Sequence, residues 1–230
     1  MTAPATSLTR PDTPRALVLV AVIAGGLALD QHLPWGQPVV DVVVWALFLR
    51  WLWSADRAGR VVLVACVAFA TLGECLLSLA WGLYDYRLGS VPWFVPPGHA
   101  LLLMLGMLVA ARLPDRVTWL VPLAAAPLVA WQAVTGVDRL GLSLFALLLV
   151  AMWRGRARKL YAVMFVLALA MELYGTWLGN WRWRPTAPWL GWSTTNPPLT
   201  AGAFYCVLDV LVMATLRVLR LRAVIVAPRV

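Results

Sequence analysis

The sequence predicts an all-α fold, a polytopic transmembrane bundle of about eight spans arranged as two parallel four-helix repeats. Composition, the placement of basic residues and similarity between the two halves carry that expectation. Of 230 residues, 62% are hydrophobic and 13% charged, and the mean hydropathy is +0.81. A soluble domain is typically about 45–50% apolar, and a water-soluble core of this size could not hide the excess. The formal charge of +9 would suit nucleic acid only if basic residues clustered on a solvated, base-reading face. They punctuate apolar runs instead, so no nucleic-acid partner is expected and the charge reads as a topology signal.

Apolar runs fall at 16–33, 39–53, 61–83, 97–113, 117–134, 139–153, 160–178 and 197–217, each near the roughly 17–25 residues that cross hydrocarbon. The second and sixth are short. Arg10 and Arg15 precede the first run, and Gly26-Leu27-Ala28 resembles a signal cleavage site. The segment is expected to be retained, because it has a counterpart in the second half. His32-Leu33-Pro34, Asp56-Arg57, Leu113-Pro114-Asp115, Val137-Asp138-Arg139 and Arg154 to Lys159 mark connections.

With the N-terminus inside, Arg10, Arg15, Arg50, Arg57, Arg60, Arg112, Arg116, Arg154, Arg156, Arg158, Lys159, Arg217, Arg220, Arg222 and Arg229 face the cytoplasm. Only Arg87, Arg139, Arg182 and Arg184 face outward. That division predicts a multi-pass cell-membrane protein with both termini cytoplasmic. The expected organisation is a cytoplasmic N-terminal segment 1–15, repeats 16–113 and 117–217, and a basic tail 218–230.

The halves align about 98 residues apart. Trp35 meets Trp131, Asp41 meets Asp138, Trp53 meets Trp153, Glu74 meets Glu172, and Ser78 meets Thr176. Tyr84-Asp85-Tyr86-Arg87 matches Trp181-Arg182-Trp183-Arg184, and both loops close on a double proline, Pro96-Pro97 and Pro197-Pro198. Four spans per half give both halves one orientation, and such repeats build shared sites where they meet.

Glu74 and Glu172 lie within spans, where ionisable residues are costly and mark function; each is a candidate proton donor or base. The plainer reading is interhelical glue. Asp209 is a third acid within a span, without a counterpart, and is a candidate acid–base partner, an arginine partner or a packing contact. Asp30 and Asp41, near span ends, are expected to be solvated or to cap helices. His99 opens the fourth span as a base, proton relay or headgroup contact, and Asn196 holds a similar place before Pro197. Two histidines cannot build a multi-histidine metal site, and Cys66, Cys75 and Cys206 lack metal-ligand spacing. Fourteen tryptophans are present, many expected in an interfacial aromatic belt. Trp81, Tyr84, Tyr86, Trp177, Trp181 and Trp183 are alternatively the wall of a greasy pocket whose ring faces stabilise a cation. Arg87 and Arg184 at its rim would bind a phosphate or pair with Asp85 or Asp209.

The segment Glu172-Leu-Tyr-Gly175-Thr-Trp-Leu-Gly179-Asn180-Trp181-Arg-Trp183, with Glu74 and Gly82-Leu83-Tyr84-Asp85-Tyr86, resembles the carotenoid-biosynthesis membrane proteins that include the acyclic carotenoid hydratases. The likeness covers about 35 residues of the 230; Pro96-Pro97-Gly98-His99 and Asn196-Pro197-Pro198 depart from that pattern. The resemblance implies acid-initiated chemistry on a hydrophobic isoprenoid, hydration or cyclisation of a double bond without a cofactor. Glu74, Glu172, Asp209 and His99 would be catalytic, and Asn180 and Asn196 would join the aromatic and arginine residues around the substrate. The alternative expectation is a proton-coupled transporter or lipid-binding protein, and a third is a scaffold in which the glutamates only join the halves.

Overall fold

The computed structural model describes residues 13–219, a bundle of eight long helices. They are α1 (Thr13–His32), α2 (Gly36–Ser54), α3 (Arg57–Glu74), α4 (Val95–Arg112), α5 (Val117–Val134), α6 (Arg139–Arg154), α7 (Arg158–Leu178) and α8 (Gly202–Val218). A π-helical segment, Cys75–Ala80, continues α3. Short strands β1 (Tyr84–Tyr86), β2 (Trp181–Trp183), β3 (Thr186–Ala187) and β4 (Trp192–Ser193) occupy the two long connections. Five helices are long and apolar enough to cross a membrane: Thr13–His32, Arg57–Ala80, Val95–Arg112, Val117–Val134 and Arg158–Leu178. Of the other three, α6 and α8 have 16 and 17 residues, and α2 carries Asp41, Arg50 and three tryptophans. The expectations for Arg10, Arg220, Arg222, Arg229 and most of the terminal segments lie outside the described residues.

Each apolar run became a helix, and the ends have local causes. Asp56 accepts the Gly59 amide at 2.9 Å and Asp138 the Gly141 amide at 2.7 Å, each occupying a donor that a helix start leaves unpaired. The third run stops at Ala80, not 83, because Gly82 turns left-handed at φ +70°. Gly179, at φ +90°, ends α7 the same way, with the Gly179 and Asn180 amides both donating to the Gly175 carbonyl. The eighth run begins as a turn around the cis Asn196–Pro197 bond, and α8 starts only at Gly202.

The helices α3, α4, α7 and α8 form an inner ring in which α3 and α7 each pack against both α4 and α8. The α1–α2 pair lies against α4, and α5–α6 against α7 and α8. Leu63, Leu101, Met104, Leu108, Leu148 and Tyr161 fill the interior. Gly106 lets α4 approach α7: a Cβ there would sit 2.2 Å from Met164 Sδ. Large apolar side chains including Leu17, Val42, Leu72, Leu123, Trp153 and Trp177 point outward.

One end of the ring is closed by β1 and β2, antiparallel with Tyr84 opposite Trp183, Asp85 opposite Arg182, and Tyr86 opposite Trp181. Two further bonds flank the ladder, Arg87 N–H to Asn180 O and Arg184 N–H to Leu83 O, both 2.9 Å.

Candidate functional site

Side chains two apart on a strand share a face, so Tyr84 and Tyr86 point together into the ring while Asp85 points away. The two phenols donate to Oε2 of Glu74 at 2.9 and 2.8 Å. From β2, the indole N–H groups of Trp181 and Trp183 donate to Oε2 of Glu172 at 2.7 and 3.0 Å. Gly175 makes the Trp181 contact possible, since a Cβ there would collide with the Trp181 ring. Each carboxyl is thus held by the two aromatic residues of the strand that follows its own helix.

The remaining oxygens differ. Oε1 of Glu172 accepts the Tyr205 hydroxyl at 3.1 Å, whereas Oε1 of Glu74 faces Nε2 of His99 at 3.6 Å. His99 stacks on Tyr205, with centroids 5.0 Å apart and planes 9° from parallel, and its Nδ1 sits 2.9 Å from the Val95 carbonyl. The cluster is buried, with Glu74 6% and Glu172 5% exposed. In β1, burial pushes the phenols of Tyr84 and Tyr86 well above their ordinary range, and the nearby Glu74 charge adds to it.

Two cavities meet at this cluster, sharing Glu74, Tyr84, His99, Glu172 and Tyr205 as wall. The larger, about 550 Å³, lies between α3 and α8 among residues such as Phe69, Leu76, Phe204 and Leu208. The smaller, about 60 Å³, is bounded by α1, α2, α4 and α7 through Ile23, Val44, Leu101 and Met171. Trp81 and Trp183 line the larger one and Tyr86 and Trp181 the smaller.

Other candidates lie elsewhere. Trp177 is 78% exposed and stacks on Tyr174. Arg184 pairs with Asp85 through two 3.1 Å bonds on the outer face of the hairpin. Arg87 bonds Asp30 Oδ1 at 3.0 Å, and Asn180 donates to Asp30 Oδ2 at 2.7 Å and to the Leu27 carbonyl. Asp30 is therefore not solvated: at 2% exposure it is the buried anchor joining α1 to one end of the β1–β2 ladder, through Arg87 and Asn180. Asp41 caps, as expected, but for a neighbour, accepting the Phe94 amide at the start of α4. Asn196 accepts the Trp183 amide and fixes that strand rather than lining a cavity. Asp209 lines neither cavity; it is fully buried on α8 and both its oxygens lack hydrogen-bond partners among the described residues.

Tyr205 and Asp30 are the site residues the sequence did not single out. Tyr205 stands four residues before Asp209 on one helix face, the only signal that could have drawn attention to it. Among the described residues, no group of three or more His, Cys, Asp or Glu is arranged to hold a metal. Comparison with protein-family models, with curated proteins and with solved structures returns no match for this chain.

Proposed function

We propose that this chain is an integral membrane enzyme that adds a proton to a double bond of a hydrophobic isoprenoid, leading to hydration or ring closure. The observation that carries the reading is the pair of buried glutamates, each held by aromatic donors, in the common wall of two largely apolar cavities. Proton transfer from a carboxyl to an alkene carbon would leave a tertiary cation. The Tyr84 and Trp183 rings, 4.8 Å apart, offer π-faces to it, and a carboxylate offers a counter-charge in a buried, largely apolar site. In hydration, water adds to the cation and returns the proton; in cyclisation, a second double bond attacks and a neighbouring carbon releases it.

Membrane residence is supported by the five apolar helices and by the large apolar side chains on the outside of the bundle, far more than a water-facing surface carries. The eight-span topology rests on the alternation of helices with the uneven distribution of arginine and lysine. The reading of two parallel repeats is supported by the exchange of like contacts: Arg87 with Asn180 and Arg184 with Leu83, left-handed Gly82 and Gly179, and two aromatics on each glutamate.

The test is turnover. Membranes containing the protein are incubated with an acyclic carotenoid or polyprenyl substrate, and products gaining one water, or isomers of unchanged mass, are sought by mass spectrometry. Glu74→Gln and Glu172→Gln should each lower the rate at least 100-fold, within the range general acid–base groups contribute. Full turnover in both variants would exclude the mechanism.

A second reading, a proton-coupled transporter, is favoured by one observation, the meeting of two cavities on either side of the acids. Uptake driven by a pH gradient in proteoliposomes, with the ligand's mass unchanged, would select it.

A further inference from the structure

We propose that the 550 Å³ cavity between α3 and α8 is a side entrance from the bilayer, which takes one end of a linear, uncharged isoprenoid chain and leads it to the glutamates. The chemistry of the chain rests on the isoprenoid reading above; the route rests on the shape of the wall.

That wall is two facing stripes. On α3 and its π-helical continuation, Phe69, Leu72 and Leu76 follow helical spacing, and on α8 Phe204, Leu208 and Leu211 do the same. Leu72, Leu76 and Leu211 are 64%, 53% and 42% exposed, so the stripes part on the outside of the bundle, where other large apolar side chains also point. Toward the β1–β2 ladder the cavity is roofed by Trp81, whose indole N–H donates to the Pro188 carbonyl at 2.6 Å and whose ring stacks on Trp189. A ligand therefore enters sideways, through hydrocarbon, and not from water beyond the ladder.

Gly73 supplies a second, independent observation. A glycine inside a helix is destabilising relative to alanine, and it is commonly offset by close packing. Gly106, Gly175 and Gly202 are of that kind: a Cβ at each would collide with Met164, the Trp181 ring or the Phe165 backbone. At Gly73, beside Glu74 in the cavity wall, a Cβ would meet nothing within 4 Å. What this glycine provides is empty space in front of the acid.

The lining also selects the ligand's charge. Among the described residues, no lysine or arginine lines the cavity. Arg87 and Arg184, which flank the ladder, are paired with Asp30 and Asp85. A phosphate or carboxylate head drawn inside would lose its water and meet two glutamates without a cation. The chain that reaches the acids is therefore a hydrocarbon or a neutral alcohol, and not a prenyl diphosphate. The volume lies within the roughly 300–1,000 Å³ of small-molecule pockets, so the cavity holds one end of a carotenoid-length chain while the remainder stays among lipid tails.

Photolysis of geranylgeraniol carrying a diazirine at the end remote from its hydroxyl, with the full chain in phosphatidylcholine vesicles, reads the route without turnover. Peptide mass spectrometry should find adducts concentrated on residues 69–77 and 204–211, above the background at Leu123 on the outside of α5. The vesicle's own acyl chains are in excess, so that enrichment measures selection over a lipid tail. Unlabelled geranylgeraniol should compete, and geranylgeranyl diphosphate should not. Gly73→Phe, which puts a ring into the open space, should lower the adducts about tenfold, the effect of roughly 1.4 kcal/mol of lost binding. Leu208→Trp should do the same from the opposite wall, whereas Gly25→Phe, an equal addition into open space on α1, should leave them unchanged. Adducts at the Leu123 level, equal competition by the diphosphate, or undiminished labelling in both filled variants would overturn the inference. Labelling as expected in a chain that converts no isoprenoid would instead remove the enzymatic reading and leave the entrance standing.

Discussion

At the residue scale, the hairpin tyrosines are the most exacting contacts. With their phenols held above the ordinary range by burial and by Glu74, raising the pH leaves them neutral, and their O–H donors to Glu74 persist where an exposed phenol ionises at about pH 10. Alkaline titration followed by tyrosinate absorbance should therefore show the same first-phase amplitude in Tyr84→Phe and Tyr86→Phe as in the parent chain. A smaller amplitude in either would mean that phenol is open to water. The residues on Glu74 and Glu172 were legible because aromatic, charge, aromatic is a pattern along one strand. Tyr205 and Asp30 were not, since each acts on a group more than 30 residues away, and no local pattern records which helix faces which. Asp30 looked solvated from its place at a helix end; only packing against the hairpin buries it.

At the element scale, the extra residue in the first half finds its explanation in the π-helical segment. Gly82 lies eight residues after Glu74, but Gly179 lies seven after Glu172, and the spacing of the matched segments shifts accordingly. Within Cys75–Ala80 the backbone bonds five residues back, as in Trp81 N–H to Leu76 O at 2.7 Å, and such a turn absorbs one added residue. The aromatics of β1 thereby reach Glu74 in the register that β2 keeps with Glu172. Deleting Leu79, which is 60% exposed, should return the segment to an α-helix and preserve the fold. The thermal midpoint by circular dichroism should stay within about 2–4 °C, the shift of roughly 1 kcal/mol for a chain of this size; collapse of the transition would show that the π turn is indispensable. The helices themselves were readable as apolar runs because burial among neighbours and exposure on the outside both select apolar residues. The π turn was not, because hydrophobicity carries no count of residues per turn.

At the scale of the whole molecule, the halves meet through α3 with α8, α4 with α7, and β1 with β2. The connection 113–116 between α4 and α5 is short and carries none of these contacts. Residues 1–114 and 115–230 expressed together as separate chains should associate and co-purify in mild detergent, and purification of either half without the other would contradict an interface of this kind. If the halves descend from one ancestral unit, the crossed backbone bonds of the β1–β2 ladder say what that unit was like. A single four-helix segment has a strand with no partner of its own, so it would complete itself only by pairing with a second identical copy, and in that assembly both acids would have had identical surroundings. Joining the copies into one chain would have freed each side to change alone. His99 stands beside one acid, while the matching position after the second double proline is Thr200, bonded to Gly141 instead. On such a descent, the unlike neighbours of the two acids would be changes made after the copies were joined.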